Sequence, residues 1–187
     1  MTVRNVLILA CLIVSVGCLS ARRAPTPLVV FLDSRHPARV YDSTTIAGGC
    51  SNAELLSESM GELPIRPLTE VISPDWHRED ALLRLEPDLV VIHYSGFCEA
   101  RCDDRSRLRD LIERFAETPT HILVYSRLSD AELRHGVDSL LAATLASHAG
   151  LRSHLMTFGL NDHGSPHWTD PATLAALKAR IRESLGL

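Results

Sequence analysis

The stretch Pro27-Leu28-Val29-Val30-Phe31-Leu32-Asp33-Ser34 is an apolar run that ends in a carboxylate and a hydroxyl. A buried parallel strand reads as a continuous hydrophobic run, and in open α/β sheets the residues past its carboxyl end line the ligand crevice. Ser34 therefore stands where a nucleophile would be useful, unless it simply starts the turn after a strand. A serine hydroxyl attacks an acyl carbon only when a base takes its proton and amide donors meet the developing oxyanion, so the same edge has to supply both. Arg35 and Arg39 follow closely and could hold a carboxylate or phosphate through paired hydrogen bonds. Trp76-His77-Arg78-Glu79-Asp80 combines a ring with ionisable groups; it reads either as a rim for an acidic or sugar-like ligand or as a helix start with a solvated face.

Placing these residues requires a scaffold. Short apolar runs alternate with longer amphipathic ones, which is the pattern of strands joined by crossover helices. Strands are expected over residues 28–33, 65–72, 88–94, 121–126 and 154–158, and helices over 53–61, 76–85, 105–117, 131–149 and 171–185. The reading is a three-layer α/β/α sandwich around a parallel sheet of about five strands. Ser51 with Glu54 and Ser129 with Glu132 have capping-box spacing. Asp170-Pro171 pairs a capping carboxylate with proline in the first turn, ahead of Leu174, Leu177, Ile181 and Leu185 on one face. Leu108, Leu111, Ile112 and Phe115 form a second apolar stripe that belongs to a core. In a parallel sheet the segments after the strands gather on one edge, which collects Ser34-Arg35-His36, residues 73–79, Ser95-Gly96-Phe97-Cys98, Ser126-Arg127 and residues 161–167.

The amino terminus sets the compartment. Arg4 precedes an apolar stretch over residues 6–16, which has signal-peptide length and falls short of a membrane span of about 20 residues. Residues 1–17 read as the signal, 18–26 as a tether and 27–187 as one α/β domain in the periplasm or cell envelope. Ser15-Val16-Gly17-Cys18 is similar to a bacterial lipobox, so lipidation of Cys18 and simple cleavage after Gly17 both remain open. The membrane enters as a partner only through that anchor. The 187 residues carry a formal net charge of -4, with acidic and basic types interspersed and Lys178 as the only lysine, and no basic patch suggests nucleic acid.

An exported domain can hold a disulfide. Cys98 with Cys102 and Cys50 with Cys98 are both open as pairs, and either leaves one thiol over. A zinc site drawing on these thiols and His93 lacks a Cys-x-x-Cys pair, so neither a metal nor a cofactor is expected.

The order of elements across the mature chain resembles the SGNH, or GDSL, hydrolases, whose sheet is flavodoxin-like. In that family a first strand ends in Gly-Asp-Ser, similar to Leu32-Asp33-Ser34 without its glycine. The resemblance implies Ser34 as nucleophile and an oxyanion amide at Gly48 or, preferred, Gly49. The family's Gly-x-Asn-Asp block is replaced by His93-Tyr94-Ser95-Gly96-Phe97, so Ser95 would stand in for the missing Asn donor beside the Gly96 amide. Its closing Asp-x-x-His is matched by residue type but not spacing, and implies His167 as base and Asp162 as the carboxylate that orients it, with His163 as the neighbouring alternative. The implied activity is hydrolysis of a small ester or acyl group on a small-molecule, polysaccharide or lipid substrate of the envelope. Two other readings stand beside it: a catalytically inactive SGNH-like binding module, and a single-lobe solute-binding protein. The latter rests on residues 85–92, which resemble a phrase of periplasmic metal-chelate and cobalamin binders.

Overall fold

A computed structural model describes residues 26–34, 52–72, 76–97, 105–165 and 167–187. Five parallel strands form the sheet: β1 (Leu28–Ser34), β2 (Arg66–Ile72), β3 (Leu89–His93), β4 (His121–Ser126) and β5 (Leu155–Gly159), in the order β2-β1-β3-β4-β5. The helices are α1 (Asn52–Ser59), α2 (Glu79–Arg84), α3 (Ser106–Phe115), α4 (Asp130–Leu140), α5 (Ala142–Ser147), α6 (Leu151–His154) and α7 (Pro171–Leu185), with a 3-10 turn at Leu160–His163. The expected three-layer α/β/α sandwich is what forms.

Strand position follows from composition. The apolar runs of β1, β3 and β4 are central in the sheet, and both their faces are buried because a helical layer covers each side. The more polar Arg66-Pro67-Leu68-Thr69-Glu70-Val71-Ile72 takes an edge, where Pro67 has no ladder amide to lose. Val29, Phe31, Leu89, Val91, Leu123 and Tyr125 face α1 and α7, packing on Ala53, Leu56, Leu177 and Ile181. Val30, Leu32, Val90, Ile92 and Val124 face the other helical layer and meet Leu82, Leu108, Leu111, Ile112, Phe115, Leu133 and Val137. Each such side chain contributes roughly 1.5–3 kcal/mol through burial. Leu174 and Leu185 extend the α7 stripe at its half-buried margins.

Two caps match the sequence. Ser129 Oγ accepts from the Glu132 amide (3.3 Å). Glu132 Oε2 accepts from the Ser129 hydroxyl (2.7 Å) and from the Ser129 amide (3.0 Å), and these two bonds hold the Glu132 carboxyl below its usual range. Asp170 Oδ2 accepts from the Thr173 amide (3.0 Å), which likewise lowers the Asp170 carboxyl. The Ser51–Glu54 cap lies outside the described residues. The single helix expected over 131–149 is instead α4 and α5, joined at Leu141, whose φ of -105° and ψ of 13° leave the helical range. Leu141 stays fully buried, so the break changes direction without exposing the core.

At the opposite edge from the candidate site, His121 at the start of β4 meets His154 at the end of α6 with ring centroids 4.9 Å apart. The Nδ1 atoms of both rings are buried without a hydrogen-bond partner among the described residues. Burial and then the neighbouring His154 lower the His121 pKa, against a smaller opposing pull from Asp88. Since the folded value is depressed, the stability held by the neutral ring is full above the ordinary imidazole value of about 6.5 and is lost as pH falls below it. Thermal midpoints should be flat from pH 8 to 7 and decline between pH 6.5 and 5. His121→Gln should flatten that decline, and an unchanged slope in the variant would remove this pair as its source.

Candidate functional site

Strand order reverses beside β1, which has β2 on one side and β3 on the other. In doubly wound sheets the crevice at such a reversal, outside the carboxyl ends of the strands, is where ligands bind. Ser34 is the last residue of β1 and the register partner of Ile72. Its predecessor Asp33 is 1% exposed, a carboxylate inside the core. Leu32 pairs with Ile92 and His93 with Tyr125, so Asp33, His93, Tyr125 and Phe158 follow one another across β1, β3, β4 and β5 at one level.

The polar members of this row touch. Tyr125 Oη donates to Asp33 Oδ2 at 3.2 Å, His93 Nδ1 lies 3.9 Å from Asp33 Oδ1, and the His93 and Tyr125 rings meet edge to face at 5.0 Å. Burial first, then the Asp33 charge and the bond to it, push the Tyr125 phenol well above its ordinary pKa. Arg127, just past β4, loses some of its proton affinity to burial, while Asp33 acts to restore it.

After β3 the chain turns sharply. The Gly96 amide donates to His93 O at 2.7 Å, and a Cβ at Gly96 would lie 3.0 Å from that oxygen. The Gly96 amide is thereby engaged in the turn. Ser95 beside it is half-buried. On the other face of the sheet Arg105 lies over the Tyr94 ring, 4.2 Å from its centroid.

The segment after β5 is locked to the start of α4. Asp130 Oδ1 accepts from the Gly159 amide (2.6 Å), the Asp130 amide donates to Asp162 Oδ2 (2.7 Å), and His163 Nε2 lies 3.2 Å from Asp130 Oδ2. His163 also stacks on Phe158, with centroids 4.3 Å apart and planes 5° from parallel. Thr173 Oγ1 in α7 donates to His163 O at 3.1 Å, which ties the segment to the last helix. Asp162 thus meets a backbone amide, and the aspartate that meets an imidazole is Asp130. His167 follows with an exposed side chain, its amide donating to Ser165 Oγ (3.2 Å) and its carbonyl accepting from the Asp170 amide (3.1 Å). Asp170 is a helix cap.

No match is found among family models, curated proteins or solved structures. The site has to be read from its own chemistry.

The described residues place Asp33, Ser95, Gly96, Asp162, His163 and His167 at the carboxyl edge of the sheet and its following segments. They do not bring Asp130–His163 next to Ser34: β3 and β4 separate β1 from β5, about 14 Å at roughly 4.8 Å per strand. Arg35, Arg39, Gly48, Gly49, Cys50, Cys98 and Cys102 lie outside the described residues, as does the Ser34 side chain. Trp76 corrects the rim reading of residues 76–80. It is 4% exposed, packs against Phe97 and reaches Glu70 through Nε1 (3.5 Å), while Arg78 pairs with the same glutamate (3.0 Å), so the run is a helix entry. Among the described residues no group of three or more His, Cys, Asp or Glu side chains could hold a metal ion. Asp130, Tyr125 and Gly159 escaped sequence reading because each doubles as an ordinary element-end residue. Asp130 sits beside a capping box and Tyr125 inside an apolar strand, and the available signal was position alone: Tyr125 is one residue before the end of β4, Gly159 is the last residue of β5, and Asp130 opens α4.

Proposed function

We propose that this chain is an exported SGNH-like hydrolase that cleaves a small ester or acyl group on a cell-envelope substrate, with Ser34 as nucleophile and His167 as base. The observation that carries the reading is the strand order. It sets the Asp33-Ser34 end of β1 at the sheet reversal, on the same edge as the segment that bears His167. In this reading the Ser34 hydroxyl adds to the acyl carbon while His167 takes its proton. The proton then passes to the departing alkoxide, and a water activated by the same ring releases the acyl group. Gly49 and Ser95 supply the oxyanion donors, since the Gly96 amide is engaged with His93, and Arg35 and Arg39 hold an acidic group of the substrate. The Asp162–Asp130–His163 lock steadies the segment that carries His167.

The test is active-site labelling. Mature protein treated with a fluorophosphonate, and assayed with p-nitrophenyl esters of short to medium acyl length, should carry one adduct on Ser34 and turn over at least one ester. An adduct elsewhere, or none, overturns the assignment. The inactive binding module is the second reading, favoured by the engagement of the Gly96 amide. It predicts neither adduct nor turnover, with measurable retention on envelope polysaccharide or lipid.

Export is part of the proposal. Intact-mass measurement of protein from a bacterial envelope should show residues 1–17 removed, and an added diacylglyceryl mass on Cys18 would select the lipid-anchored form. Retention of the full chain contradicts both. Among the described residues no helix is long and apolar enough to cross a membrane.

A further inference from the structure

We propose that Asp33, His93 and Tyr125 form a buried positioning cluster that holds the carboxyl end of β1, and with it Ser34, at the geometry needed for attack; the inference rests on reading Ser34 as the nucleophile. A carboxylate 1% exposed is a poor choice for stability, because removing a charge from water costs several kcal/mol and an apolar residue would pack there without that penalty. Asp33 therefore has to be accounted for by what its bonds do.

The Tyr125 bond to Asp33 crosses strands, and His93 stands close beside it, its Nδ1 making no hydrogen bond among the described residues. The Tyr125 Oη to Asp33 Oδ2 contact spans from β4 to β1 over the intervening β3, and His93 fills that gap, close to Asp33 on one side and edge-on to the Tyr125 ring on the other. The ladder fixes backbone register but leaves the last residue of a strand free to fray, since no further ladder bond follows it. A side-chain tie one residue before Ser34 removes that freedom at the end where attack would occur. The turn after β3 adds a lid, with a Cβ at Gly96 falling 3.9 Å from Asp33 Cα. Tyr125 suits the role because its phenol stays protonated through the physiological range and so always donates to Asp33. None of the three needs to touch substrate.

Tyr125→Phe removes one oxygen and keeps the ring that packs on His93. Amide hydrogen exchange and ester kinetics are to be measured on the full mature chain, with Tyr94→Phe, on the opposite face of the sheet, as control. The variant should lose roughly 10- to 100-fold in kcat with KM within about twofold, as expected for misplacement of a reacting group rather than loss of binding. Exchange should accelerate at the amides of residues 33, 34, 93 and 94 and not across the sheet. Asp33→Leu, which removes the acceptor of the Tyr125 bond, should give the same pattern if Tyr125→Phe folds poorly. Unchanged kcat, or exchange accelerated evenly through the domain, overturns the cluster as a positioning device. If the unmodified chain neither turns over esters nor takes the fluorophosphonate, the hydrolase reading falls on its own. The exchange pattern then decides the cluster, local acceleration supporting it and its absence refuting it.

Discussion

Ser34→Ala should abolish ester turnover and fluorophosphonate labelling together, a loss of roughly 1,000-fold or more, while the thermal midpoint stays within about 2 °C of the parent. The size of the effect follows from the chemistry: without the hydroxyl no acyl-enzyme forms, and what remains is whatever binding and donors do for a water attack. His167→Gln should lose a comparable factor, and the double variant should be no worse than either single change, because two groups that act in one step are not additive. His163→Gln is expected to behave differently. Its ring is tied to Asp130 and stacked on Phe158, about three strand spacings from β1, so its loss should cost stability with a smaller fall in kcat. The reverse order, with His163→Gln inactive and His167→Gln active, would move the base to His163 and require the segment after β5 to close over the sheet.

Gly159→Ala should be the most damaging single-methyl change among the described residues. A Cβ at this position would lie 2.3 Å from Asp130 N, 2.4 Å from Ser129 C and 2.7 Å from Leu128 O. All three are backbone atoms, so no side-chain rotation relieves the clash and β5 must separate from the start of α4. Overpacking typically costs about 1–3 kcal/mol and occasionally more. Here the movement also breaks the Gly159 amide to Asp130 bond and the contact of Asp130 with His163. A loss of about 3 kcal/mol would lower the thermal midpoint by roughly 6–12 °C in a domain of this size. Hydrolytic activity should fall with it, since the segment bearing His167 is anchored there. Gly150→Ala is the control: nothing lies within 4 Å of its Cβ and its φ of -64° suits alanine, so its midpoint should not fall. Equal midpoints for the two variants would contradict the close approach.

The alternation of apolar runs with amphipathic stretches by itself determined the parallel sheet and the layers on its two faces. Continuous burial on both faces leaves no polar alternation in β1, β3 or β4, and that signal is local. The caps at Ser129 and Asp170 were legible for the same reason, because donor and acceptor are three residues apart. The division of the 131–149 helix at Leu141 was not. The residue remains apolar and buried on both readings, so periodicity runs through the break. Sequence also placed Asp33-Ser34 at a strand's carboxyl end and residues 161–167 on the same edge. It could not choose partners within that edge. Asp33 meets Tyr125 across 92 positions and His163 meets Asp130 across 33, pairings set by strand order and register rather than by spacing along the chain. Only the tertiary structure could show that Asp162 serves a backbone amide and Asp130 an imidazole. A carboxylate's role depends on which donor the packed elements bring within about 3 Å, and that distance is decided when the layers close.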